Sequence, residues 1–179
     1  TPVPDDEIVR VLHEVVRHVP SAFNSQTTRI VLLLGKEHQK LWGSVEDTLQ
    51  RMMPEDAFSR SKAKIDGSFA SGYGTVLFFE DTSTIRQMEG DYPLYAKNFQ
   101  VWSQHTSAMH QFTIWTFLEE LGFGASLQHY NPLIDNEVKH TWHLPNEWML
   151  IAQMPFGMPL SAPEAKSVKP VEERVWVFG

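Results

Sequence analysis

NFQVWSQHTSAMHQFTIWTFLEELGFG, residues 98–124, is the longest helical stretch in the chain and the one that any fold has to accommodate. Phe99, Trp102, Met109, Phe112, Trp115, Phe117, Leu118 and Leu121 recur at helical spacing. In the second half these apolar positions cover nearly every side. A helix apolar all round is buried, either centrally or in a subunit contact. Gly122 and Gly124 close it, as expected of a C-terminal cap.

Working outward, Asp5-Asp6-Glu7 places carboxylates at the positive end of a helix. Ile8, Val11, Leu12, Val15 and Val19 continue that helix until Pro20 ends it. Residues 21–28 are polar and read as a loop, and Ile30 to Leu34 is a buried strand stopped by Gly35. Leu41, Val45, Leu49 and Met52 predict a second helix, and a further helical stretch surrounds Phe58, Ile65 and Phe69 until Gly72 and Gly74 break it. Thr75 to Phe79 is the next buried strand, ended by Glu80-Asp81. Residues 84–96 look helical but are interrupted by Gly90 and Pro93. Beyond the long helix come a short strand and loop over 125–133, a short helix at Asn136 to Trp142 and a strand at Trp148 to Met154. A loop punctuated by Pro155, Pro159 and Pro163 follows, and Arg174 to Phe178 alternates like a last strand. Strands alternating with helices predict an α/β or α+β sandwich, one sheet covered by helices. With no internal repeat and no linker, residues 1–179 read as a single domain.

Hydrophobic residues at 42% and charged residues at 21% exclude a disordered or fibrous chain. A net charge of -7 argues against nucleic acid or an anionic membrane as partner. With no cysteine, a disulfide scaffold, a thiolate zinc site and a cysteine nucleophile are excluded, and a cytoplasmic location is expected. No segment reaches the roughly 20 apolar residues of a membrane span. No signal peptide is expected, and because the chain opens Thr1-Pro2 rather than with methionine, residues are expected upstream. The eight histidines show no H-x-x-x-H or H-E-x-x-H spacing, so no metal site is expected. Neither a G-x-G-x-x-G after a strand nor a G-x-S-x-G elbow occurs.

Two constellations carry candidate chemistry. Pro20-Ser21-Ala22-Phe23-Asn24-Ser25-Gln26 joins a helix end to a buried strand. Its hydroxyl and amides suit a polar, uncharged ligand edge with both donors and acceptors, such as that of an isoalloxazine ring; equally, they suit an ordinary capping turn. Gly122-Phe123-Gly124-Ala125-Ser126-Leu127-Gln128-His129-Tyr130-Asn131-Pro132 is the second, small enough at its start for close backbone approach to a flat ligand, or else a glycine cap and a surface loop. Lys166 and Lys169 could meet a phosphate or simply be solvated.

The first of these loops, with the strand from Arg29 to Leu34, resembles the flavin-side loop and first strand of the nitroreductase family. Gly72-Tyr73-Gly74-Thr75-Val76-Leu77-Phe78-Phe79-Glu80-Asp81, Gly124 to Pro132, and Gln153-Met154-Pro155-Phe156-Gly157 are similar to the branch that holds bacterial and fungal stress-related members, and the likeness covers essentially the whole chain. It implies an α+β sandwich with a central, antiparallel-rich sheet flanked by helices, assembled as an intertwined homodimer with two FMN at the interface. The long helix would lie at the dimer contact, and the C-terminal segment would add a strand to the partner's sheet. Pro20, Ser21, Ala22, Asn24 and Gln26 would touch the flavin from one subunit, and Leu127, Gln128, His129 and Tyr130 would reach the ring from the other face. Lys166, and less directly Lys169, would meet the FMN phosphate. The family opens with an Arg-Arg-Ser-like stretch that grips the phosphate, and this chain begins after it, so phosphate contacts are expected to be incomplete within residues 1–179.

The resemblance implies an FMN-dependent oxidoreductase that takes electrons from NADH or NADPH and reduces nitroaromatics, quinones or similar small-molecule acceptors by ping-pong exchange. The cofactor carries such chemistry, so no protein side chain is nominated as catalytic. The alternative is a flavin- or lipid-responsive regulatory protein with the same fold and little turnover.

Overall fold

The computed structural model describes residues 3–179. Its frame is a four-stranded antiparallel sheet in the order β1-β2-β4-β3, formed by β1 (Thr28–Leu34), β2 (Gly74–Asp81), β3 (Gly124–Ala125) and β4 (Trp148–Gly157). Helices α1 (Asp5–His18), α2 (Gly35–Met52), α3 (Glu55–Lys64), α4 (Thr82–Asp91), α5 (Ala96–Glu120) and α6 (Asp135–Thr141) surround it. The arrangement is α+β, as the resemblance implies.

All eight residues of β2 are buried, because the strand is central and covered on both faces. Alternation then assigns the faces. Val76 and Phe78 pack with Ile8, Val11, Leu12 and Val15 of α1 and with Ile114 and Leu118 of α5. Leu77 and Phe79 pack with Leu41, Trp42, Val45 and Leu49 of α2 and with Val138 of α6. The register of β4 shifts between Phe78 and Phe79, where Ala152 and Leu150 are the successive partners. The extra residue, Ile151, explains why Ala152, Met154 and Phe156 serve the first core while Leu150 serves the second. Without that bulge, strict alternation would send all four to one face.

Several boundaries differ from the sequence reading. α2 starts directly after β1, because Gly35 takes φ +52 and turns the chain at once. The stretch around Phe58 to Phe69 is α3 followed by a π-helical turn, Ile65–Ala70. The alternation at Arg174 to Phe178 predicts a strand, but none forms there: Val175, Trp176, Val177 and Phe178 are exposed, and only a short turn at Val171–Glu173 precedes them. A strand needs a neighbouring edge to pair with, and the described chain folds none beside this segment.

α5 also departs from expectation. Its buried stripe is largely polar: Phe99, Ser103, Thr106, Ser107, His110, Gln111, Ile114 and Leu118. Phe112 and Phe117 face outward, and Phe112 is 73% exposed. The inward polar groups are satisfied locally. Ser103 Oγ donates to the Gln100 carbonyl at 2.9 Å, Thr106 Oγ1 to that of Trp102 at 3.1 Å, and His110 Nδ1 to that of Thr106 at 2.9 Å. Gln111 Nε2 donates to Ser107 Oγ at 3.0 Å. Satisfied in this way, these groups avoid the cost of burying an unpaired polar atom.

Candidate functional site

The loop after α1 is a tight, strained turn. Ser21 Oγ accepts the Gln26 backbone N–H at 3.0 Å, and the Ser21 carbonyl accepts that of Asn24 at 3.0 Å. Phe23 and Asn24 both have φ 54, and Gln26 has φ 48. Left-handed non-glycine residues cost on the order of 1 kcal/mol or more each and persist where the surroundings over-determine them. Here the surroundings are visible. The Phe23 ring lies 4.6 Å from that of Tyr92, 5.4 Å from Tyr95, 5.6 Å from Phe99 and, stacked, 5.9 Å from Trp102. At the far end, Arg29 Nη1 donates to the Gln26 carbonyl at 2.7 Å while Nη2 pairs with Asp81 at 2.9 Å. Asp81 in turn caps α4 through the backbone N–H groups of Ser83 and Thr84. Burial alone would raise the Asp81 carboxyl, but the bonds from Ser83 and Thr84 outweigh it and hold it below its ordinary value. Pro20, Ser21 and Ala22 line a cavity of about 300 Å³ together with Trp102, His105, Thr106 and Met109 of α5.

The second segment is fastened to β4. Gln128 and Gln153 exchange backbone hydrogen bonds at 2.7 and 2.9 Å. The Gln153 side chain, wholly buried, accepts from the Tyr130 N–H at 2.7 Å and donates to Asn131 Oδ1 at 3.3 Å. The intervening N–H groups of Leu127 and His129 make no hydrogen bond to the described residues, so the segment presents open donors on the side away from β4. Tyr130 packs edge-on to Trp42 at 5.8 Å, and burial raises its phenol.

Pro20, Ser21 and Ala22 are therefore brought together around one cavity, with Asn24 and Gln26 on the same turn. Leu127, Gln128, His129 and Tyr130 form a separate fixed segment beside β4. Lys166 and Lys169 stand on an exposed, irregular stretch. Sequence reasoning missed the fasteners: Arg29, Gln153 and the aromatic residues around Phe23. A glutamine inside an apolar strand was the legible signal for Gln153. Among the described residues no group of His, Asp and Glu is arranged to hold a metal ion, and no helix is long and apolar enough to cross a membrane.

The donor set fits a flavin. By chemistry, the Ser21 hydroxyl, the Asn24 and Gln26 amides and the unengaged N–H groups of Leu127 and His129 suit a ring edge of mixed donors and acceptors, although Gln26 lines the groove between α1 and β1 and its amide donates to the Asn24 carbonyl at 3.4 Å.

The chain resembles known proteins over most of its length. A sequence model described as the nitroreductase family matches residues 1–158. The nitroreductase FRM2 of Saccharomyces cerevisiae is 33% identical over 162 residues, which span 90% of this chain and 79% of the yeast protein. The nitroreductase CinD of Lactococcus lactis, solved in complex with nicotinic acid, superposes with a TM-score of 0.91 at 39% identity, covering 99% of this chain and 90% of CinD. CinD solved with 4-nitrophenol gives a TM-score of 0.88 at 40% identity over the same shares.

Proposed function

The chain belongs to the nitroreductase family of oxidoreductases, and on that premise we propose that residues 1–179 form one FMN-binding domain that uses NADH or NADPH to reduce nitroaromatics, quinones or similar small acceptors. The observation that supports this most is the strained turn from Phe23 to Gln26, held rigid beside the cavity that Pro20, Ser21 and Ala22 line with α5. Backbone strain of this kind collects at ligand clamps, where it is part of pre-organisation.

When bound, FMN would supply two-electron redox chemistry between a nicotinamide donor and an oxidised acceptor. The protein binds and orients. Ser21, Asn24 and Gln26 present hydroxyl and amide groups to the polar edge of the ring, and Pro20 and Ala22 pack beside it. Leu127 and His129 offer N–H groups to the other side, and Gln128 and Tyr130 anchor them through Gln153. Lys166, with Lys169 near it, meets the phosphate. No side chain is assigned as acid or base, and the final protons come from water. Complexes of CinD with nicotinic acid and with 4-nitrophenol support a cavity shared in turn by donor ring and acceptor ring.

The same reading makes the protein a homodimer working in the cytoplasm. Phe112, Phe117 and Met109 form an exposed apolar stripe on α5. β1 is an edge strand with a groove of about 610 Å³ between it and α1, and the exposed tail from Val175 to Phe178 can extend a partner's sheet. The test is the visible spectrum of the purified protein after incubation with FMN and desalting, followed by NADH or NADPH oxidation with 4-nitrophenol or a quinone as acceptor. Retained yellow flavin and acceptor-dependent nicotinamide oxidation are expected. A colourless protein that consumes no nicotinamide would overturn the reading.

A further inference from the structure

The ring of Phe23 does something the flavin site itself does not explain. It is 46% exposed, yet it makes contacts with four other rings from two elements: Tyr92 and Tyr95 around the Pro93–Tyr95 turn, and Phe99 and Trp102 on the first turns of α5. Phe23 lies in the left-handed region, where a bulky residue gains nothing from its own backbone and is held by its surroundings. Its neighbour Asn24 shares the same φ, so two consecutive non-glycine residues hold a left-handed backbone beside the ring cluster.

We propose that Phe23 is a positioning residue for FMN binding. Its ring, seated among Tyr92, Tyr95, Phe99 and Trp102, locks the 21–26 turn in the one shape that presents Ser21, Asn24 and Gln26 to the flavin. Aromatic pairs at these separations favour defined geometry over mere contact. Arg29 ties the Gln26 carbonyl at the end of the turn, and backbone bonds from Asn24 to Ser21 and from Ser25 to Ala22 close it locally, while the Phe23 ring is its tie to α5 and to the Pro93–Tyr95 turn. With the ring removed, Phe23 and Asn24 are released to relax into ordinary conformations, and the turn is competent only in a fraction of molecules. Apparent affinity falls by that fraction. The residue acts through the shape of the turn and touches no reacting atom. The inference rests on the flavin-site reading above.

The experiment is a double-mutant cycle read by quenching of FMN fluorescence on the full chain. Phe23→Leu keeps apolar bulk and removes the ring; about a tenfold rise in FMN Kd is expected, corresponding to a turn competent in roughly one molecule in ten. Phe23→Tyr restores a ring and should bind within about twofold of wild type. In an Asn24→Ala background Phe23→Leu should still raise Kd by about tenfold, because the competent fraction multiplies whatever contacts remain. Tyr95→Leu empties part of the ring cluster without touching the turn, so it carries the test if Phe23→Leu does not fold, and it should raise Kd in the same direction. If wild type binds FMN and Asn24→Ala weakens it, yet Phe23→Leu and Tyr95→Leu bind normally, the positioning role is refuted and the flavin site stands. If wild type binds no FMN, the flavin reading fails and this inference with it.

Discussion

His38 should make the fold acid-sensitive in a defined window. The residue is buried on α2, and its partners fix its tautomer. Nε2 lies 3.1 Å from the Ala70 carbonyl, which can only accept, so Nε2 carries the hydrogen. Nδ1 then accepts from the Thr75 hydroxyl at 2.8 Å, and that hydroxyl accepts from Trp42 Nε1 at 3.0 Å. Every donor in this chain already points one way, so a proton on Nδ1 would set two donors against the Thr75 oxygen. Burial lowers the His38 imidazole below its ordinary value, with the Ala70 bond opposing in part. The unfolded chain therefore binds the proton first as pH falls. The His38 contribution is fully present above about pH 6.5 and is lost as pH drops below it toward the depressed folded value. One such group contributes a slope of up to about 1.4 kcal/mol per pH unit in that window. His110, also lowered by burial, adds to the same slope. Urea unfolding at a series of pH values from 7.5 to 5, at fixed protein concentration, measures it. His38→Gln should lower stability at pH 7.5 by roughly 1–3 kcal/mol, through unpaired buried partners, and flatten the acid slope by up to one group's share. An unchanged slope in His38→Gln would show that His38 is not held neutral in the folded state.

Three further outcomes are expected. Gly74→Ala places a Cβ 2.6 Å from Leu34 Cδ2, 2.8 Å from Phe156 Cζ and 2.9 Å from the Leu33 carbonyl, so urea unfolding should show a loss of about 1–3 kcal/mol, and an unchanged midpoint would mean that the β1–β2 contact yields freely. Light scattering of wild type should give twice the monomer mass, and Phe112→Asp, which puts a charge on the exposed stripe of α5, should shift it toward monomer; a folded wild-type monomer at micromolar concentration would refute the dimer. Asn24→Ala should weaken FMN by about 1 kcal/mol, roughly fivefold, with a smaller change in unfolding midpoint, and equal affinity would remove Asn24 from the site.

The strands around Val31, Leu77 and Leu150 were legible because continuous apolar runs are what a doubly covered sheet requires. The bulge at Ile151 was not, since a one-residue register shift leaves no mark in an apolar run. α5 was legible as a helix apolar on nearly every side, but its inward polar stripe was not, because Ser103, Thr106 and His110 are satisfied by the helix's own carbonyls, a pairing that residue types alone do not show. The turn at Pro20 to Gln26 was legible as polar and ligand-like. Its rigidity was hidden, because Tyr92, Tyr95 and Trp102 sit some 70 to 80 positions further along the chain. Arg174 to Phe178 carries strand alternation without a strand, because alternation records a face to be covered and says nothing about which chain covers it.

The sheet between the two cores insulates them from each other. Substitutions at Val45 and at Ile8 lie on opposite sides of β2 and share no packed neighbour except through that strand, so their effects should add. The candidate site draws its turn and cavity from the α1 and α5 side, while α2, α3 and α6 build on the other. Sequence drift around the cavity can therefore explore new acceptor shapes while the opposite layer preserves the fold, and the chain's capacity to acquire a new substrate is confined to one half of its interior.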